Sequence, residues 1–178
     1  MSAPELSRPV KPRALPAGPL TVDASETERA ALAARFGVTA IPELTATVDF
    51  GTKDDAVLAE GTLAATITQP CAVTREELSY DVSEPLMLRF VPAGSVPDYA
   101  PDEEIELDAE DLDQIEYEGD AFDLGEAIAQ TLALAIDPYR EGPGAEEARR
   151  RAGIVSDEEQ APSGPLAEAL AALKKDQA

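Results

Sequence analysis

Leu44-Thr45-Ala46-Thr47-Val48-Asp49-Phe50-Gly51-Thr52-Lys53-Asp54-Asp55-Ala56-Val57-Leu58-Ala59-Glu60-Gly61-Thr62-Leu63-Ala64-Ala65-Thr66-Ile67-Thr68-Gln69-Pro70 is the stretch that decides the fold. Leu44, Ala46, Val48 and Phe50 alternate with Thr45, Thr47 and Asp49, which puts the apolar set on one face of a strand. Gly51 to Asp55 supply turn residues. A returning strand from about Val57 to Gln69 sets Leu63, Ala65 and Ile67 against Thr62, Thr66 and Thr68. Gly61 within it predicts a bulge.

Downstream, Leu78, Tyr80 and Val82 alternate in the same way, and Leu86, Leu88 and Phe90 continue beyond Pro85. A proline has no amide hydrogen for the ladder, so Pro85 belongs at an edge or a bend. Three successive strands imply an antiparallel meander that curls around its core. Upstream, Ser25 and Glu28 form a capping box for a helix that buries Ala31, Leu32 and Phe36 and stops at Gly37. Asp123 with Glu126 caps a second helix, whose stripe is Leu124, Ile128, Leu132 and Ala135 and which ends at Asp137-Pro138. Ile115 and Tyr117 suit a short strand. The expected class is α+β: a bent antiparallel, partly barrel-like sheet over residues 41–91, flanked by helices near 25–36 and 123–136.

The ends differ in composition. Residues 1–20 hold five prolines with Arg8, Lys11 and Arg13, as in an extended arm. Residues 21–140 make one domain, with an acidic segment at 98–123. Residues 141–162, with Gly142, Pro143, Gly144, Gly153 and Pro162, read as a linker holding at most a short Ala/Arg-rich helix. Ser163, Pro165, Leu166, Ala169, Leu170 and Leu173 then predict an amphipathic docking helix over 163–175.

Charge narrows the function. Fourteen Lys and Arg against 36 Asp and Glu give a formal charge of −22, and His is absent. No Lys or Arg occurs between Phe90 and Tyr139, where 15 carboxylates stand. Such a field repels phosphate and attracts basic surfaces, so a basic protein partner is expected, with Asp102, Glu103, Glu104, Asp108, Glu110 and Asp111 as its contact surface. The alternative is direct RNA binding through Arg8, Lys11, Arg13, Arg149, Arg150 and Arg151. Catalysis is not expected. Cys71, the single cysteine, lacks a histidine to generate a thiolate and a second thiol for zinc or a disulfide, and no phosphate-binding loop exists. No metal or cofactor is predicted. Neither a membrane span nor a leader is evident, so a cytoplasmic protein is the expectation.

The order of short motifs carries a resemblance. Ser7-Arg8-Pro9-Val10, Glu28-Arg29-Ala30-Ala31-Leu32, Gly61 to Leu63, Gln69-Pro70-Cys71-Ala72-Val73-Thr74, Asp123-Leu124-Gly125-Glu126, Leu132 to Tyr139 and Leu166 to Lys174 together resemble the YceD family, in its alphaproteobacterial branch. The resemblance implies a non-catalytic role in accumulation of large-subunit (23S) ribosomal RNA, with Cys71, Thr74, Asp123, Glu126, Leu166 and Leu170 at family-motif positions. Many relatives carry a second cysteine shortly after the position of Cys71, and some carry more near the carboxyl end, in regions where Thr74 and Pro143 to Ala145 stand here, so zinc binding is not carried over. Pro165-Leu166 replaces a frequent Pro-Phe.

Overall fold

The computed structural model describes residues 4–95 and 114–154 and divides into two compact units. The first comprises residues up to Pro70 and Glu77–Tyr139; the second comprises Cys71–Glu76 and the chain from Arg140 onward. The acidic positions 102–111 and the expected helix at 163–175 lie outside the described residues.

In the first unit, β1 (Pro9–Val10), β2 (Leu20–Asp23), α1 (Glu26–Phe36), β3 (Ala40–Lys53), β4 (Ala56–Pro70), β5 (Glu77–Pro92), β6 (Gln114–Tyr117), β7 (Phe122–Asp123) and α2 (Leu124–Ala135) follow in order. The main sheet runs β2-β3-β4-β5-β6, and β1 pairs with β7 in a second, two-stranded ladder. The β2 to β5 pairings are antiparallel, as the meander requires, while β6 joins β5 in parallel through Arg89↔Gln114 to Pro92↔Tyr117. The sheet stays open. The β3–β4 turn is tighter than the turn residues imply: Gly51 and Thr52 still pair with Leu58 and Val57, leaving Asp54 and Asp55 as the connection, with Asp54 left-handed at φ 55°.

Gly61 is not a bulge. The register runs through it unbroken, Gly61 opposite Val48 on one side and Leu86 on the other; the irregularity in this ladder falls between Ala40 and Glu43. A Cβ at Gly61 would stand 1.9 Å from the Thr47 carbonyl oxygen. The glycine therefore lets the β4 backbone close onto β3, which is how the sheet curls without losing a residue from its ladder. Pro85 sits opposite Thr62 on the part of β5 that precedes the β6 pairing, an edge position among the described residues, as expected.

The alternating faces are realised. Leu44, Ala46, Val48, Leu63, Ala65, Ile67, Val82, Leu86 and Phe90 are buried under α1 and α2, which contribute Leu32, Leu124, Ile128 and Leu132. Phe122 is the centre of the ring cluster: it stacks on Phe90 with centroids 4.0 Å apart and meets Phe50 and Tyr117 at tilted angles. The buried Gln69 is satisfied, its Nε2 donating to the Asp137 carbonyl at 2.8 Å and its Oε1 accepting from the Tyr80 hydroxyl at 3.0 Å.

Candidate functional site

Two polar constellations gather the motif residues, one in each unit. In the first unit the proline-rich start is anchored over residues 6–10, and Pro12–Ala14 then form a 3-10 turn. Leu6 and Val10 are buried, and a Cβ on Gly125 would strike the Leu6 carbonyl oxygen at 2.7 Å. Asp123 caps α2 by accepting from the Gly125 and Glu126 amides. The same carboxylate accepts from the Arg8 amide at 2.8 Å and the Ser7 hydroxyl at 2.6 Å. The Arg8 guanidinium crosses to Glu28, which closes the α1 capping box with Ser25. Glu126 receives both terminal nitrogens of Arg35, which also reaches Glu5. Asp123 and Glu126 thus join the two helix starts to the chain's beginning.

This seam predicts an acid-dependent stability. The Arg8 hydrogen bond, set against partial burial, holds the Glu28 carboxyl at about 2, below its usual 4.5. A carboxylate depressed on folding contributes fully above its unfolded pKa and loses that contribution as pH falls through its folded one. Arg8→Ala should therefore lower the melting temperature at neutral pH, with the gap to the wild type shrinking between about 4.5 and 2. Thermal melts across that range check it; a gap independent of pH would refute the assignment.

In the second unit, Cys71-Ala72-Val73-Thr74 folds into a turn that grips Arg140–Gly142. The fully buried Cys71 Sγ accepts N–H bonds from Val73 and Thr74 at 3.4 Å and from Gly142 at 3.3 Å. Ala72 donates to the Arg140 carbonyl at 3.0 Å, Cys71 donates to Glu76 at 2.7 Å, and Arg75 turns the chain at φ 64°. Thr74, by its hydroxyl first and then its amide, and Gly142 by its amide, pull the Cys71 thiol down from 9.0 to about 7 against the opposing effect of burial. The lowered thiol lends stability that grows as pH rises from about 7 to 9.

The chemistry open to this thiol is narrow. Three amides and a hydroxyl favour its anion, but it is buried and the sequence holds no His to shuttle a proton. Among the described residues no group of three His, Cys, Asp or Glu could hold a metal ion. Gly142 was missed in the sequence because it lies 71 residues from Cys71 and looks like any linker glycine. We expect Cys71→Ser to cost about 1 kcal/mol and to leave ribosomal RNA levels unchanged. Lost RNA accumulation at an unchanged melting temperature would contradict this.

Five of the six basic candidates are engaged, Arg8 with Glu28 as described. Lys11 pairs with Asp120 at 2.9 Å, beside Arg13, in a shallow pocket that Tyr117 and Pro92 also line. In the second unit α3 (Ala145–Arg151) carries the arginine island, where Arg149 pairs with Glu141, Arg150 with Glu146 and Arg151 with Glu147. Asp102, Glu103, Glu104, Asp108, Glu110, Asp111, Leu166 and Leu170 fall outside the described residues. No described helix is long and apolar enough to cross a membrane.

These features define a small, strongly acidic α+β protein whose motif residues tie chain segments together. Residues 59–175 match the family described as large ribosomal RNA subunit accumulation protein YceD, and the chain belongs to that family. The matched range takes in Cys71, Thr74, Asp123, Glu126, Leu166 and Leu170, and the family description points to a role in accumulation of large-subunit ribosomal RNA. No curated protein and no solved structure matches the chain.

Proposed function

We propose that this protein is a non-catalytic, cytoplasmic ribosome-biogenesis factor that supports 23S ribosomal RNA accumulation by binding a basic ribosomal protein or assembly factor. The observation that carries the reading is the disposition of its cations. Arg8, Lys11, Arg149, Arg150 and Arg151, five of the six residues suited to phosphate contact, each already face a carboxylate. The pairs of Lys11, Arg149, Arg150 and Arg151 are exposed and weakly held, so RNA can compete for those cations. It would nevertheless bring its phosphates beside the displaced Glu or Asp, within a molecule of charge −22. A basic protein meets no such obstacle. Sequestered until its binding site forms, it no longer coats nucleic acid indiscriminately, and the precursor RNA survives.

Affinity purification of the tagged full chain from growing cells, with and without ribonuclease, tests this reading. Basic ribosomal proteins or an assembly factor should stay bound after ribonuclease treatment. Loss of every partner with the RNA would replace this reading by direct RNA binding. Exchanging Asp102, Glu103, Glu104, Asp108, Glu110 and Asp111 for Asn or Gln then measures how much of the capture that segment supplies.

A further inference from the structure

The helices α1 and α2 cover one face of the main sheet, and no described element packs on the other. Thr45, Thr47, Asp49, Glu60, Thr62, Ala64, Asp81, Ser83, Pro85 and Met87, all on that second face, are exposed. Its rows follow from the registers: Asp49↔Glu60↔Met87, then Thr47↔Thr62↔Pro85, Thr45↔Ala64↔Ser83, and Glu43↔Thr66↔Asp81. Carboxylates stand at both ends of a low floor of Thr, Ala and Ser.

The first row departs from what stability alone favours. Asp49 and Glu60 are directly opposite one another on adjacent strands, where like charges repel. Lys53 and Arg89 flank the row on its hairpin side, yet among the described residues no ion pair reaches Asp49 or Glu60. Beside Glu60, Met87 holds a flexible apolar side chain 74% exposed. A locally unfavourable arrangement on an otherwise regular sheet is expected where function needs it.

We propose that this open face of β3, β4 and β5 is the docking surface for the basic protein partner, anchored on Asp49, Glu60 and Met87. The proposal rests on the reading above that the partner is a basic protein. A Lys or Arg of the partner settles between the two carboxylates and relieves their repulsion, its neighbouring apolar side chain covers Met87, and the Thr/Ala/Ser floor admits close approach. Charge complementarity selects this occupant. RNA would set phosphate on carboxylate, and a second copy would set these carboxylates against its own.

The test uses the full chain and its Asp49→Thr/Glu60→Thr variant, with RNA-free total protein of the large ribosomal subunit as probe. The variant should melt about 1–3 °C higher, because the cross-strand repulsion is gone, and bind at least about tenfold more weakly. In the isotope-labelled wild type, the amides of Thr62, Ala64 and Ser83 and the Met87 methyl should shift on adding the probe. Unchanged binding by the variant, or shifts confined to other faces, overturns the docking face. If that happens while neutralising Asp102, Glu103, Glu104, Asp108, Glu110 and Asp111 abolishes binding, the basic-partner reading stands without this surface. A wild-type chain that binds protein-free ribosomal RNA or itself, and not the probe, overturns both.

Discussion

Gly61→Ala is expected to abolish soluble accumulation of the protein. The added Cβ would lie 1.9 Å from the Thr47 carbonyl oxygen and 2.9 Å from the Thr47 carbonyl carbon and the Val48 Cα. All three are backbone atoms of the neighbouring strand, so no rotamer change clears the space; the β3–β4 ladder must part. A strain of this kind costs on the order of 4 kcal/mol or more, much of the total stability of a domain this size. Gly51→Ala is the control, since its nearest new neighbour, the Leu58 Cβ, is at an ordinary 3.9 Å. Soluble yield and thermal melts of the two variants decide the matter. A Gly61→Ala protein melting within about 2 °C of wild type would show that the curl does not depend on this glycine.

Phe122→Ala should be the next most damaging change. The ring is 1% exposed, is stacked on Phe90 and is flanked by Phe50 and Tyr117. Removing it leaves a void that the surrounding strands cannot fill, at a cost of about 3–5 kcal/mol. Because Phe122 also pairs with Val10 and precedes the Asp123 cap, the variant should expose the chain's beginning to protease earlier than its core. Leu134→Ala, at a side chain 89% exposed, should stay within about 0.5 kcal/mol of wild type. Denaturant unfolding of both variants gives the comparison.

What the sequence disclosed was local. The Ser25–Glu28 box, the left-handed Gly37 stop, the Asp123 cap and the alternating faces of β3, β4 and β5 all appear where the residues place them, because capping and alternation are settled over a few neighbouring positions. Pairing between distant segments was not legible. Pro9–Val10 is too short to show a strand period, and nothing in Ile115 or Tyr117 says that β6 joins β5 in parallel. Gly61 carries the same letter whether it relaxes a bulge or allows two backbones to touch. The thiol clasp was half visible: Thr74 stands next to the motif cysteine, whereas the Gly142 amide arrives from beyond α2.

The stitch of the chain's start to the α2 cap sets an order of events. Ser7 and Arg8 bond to Asp123, 116 and 115 residues later, and Pro9–Val10 has no ladder until Phe122–Asp123 is present. During synthesis Ser7–Val10 leaves the ribosome well before α2, yet it has nowhere to settle until α2 has followed it out. Contacts closed over so long a loop form slowly. Leu6 and Val10 therefore stay uncovered until α2 emerges, and the newly made chain passes through a window in which residues 6–10 are still open to a chaperone or a protease.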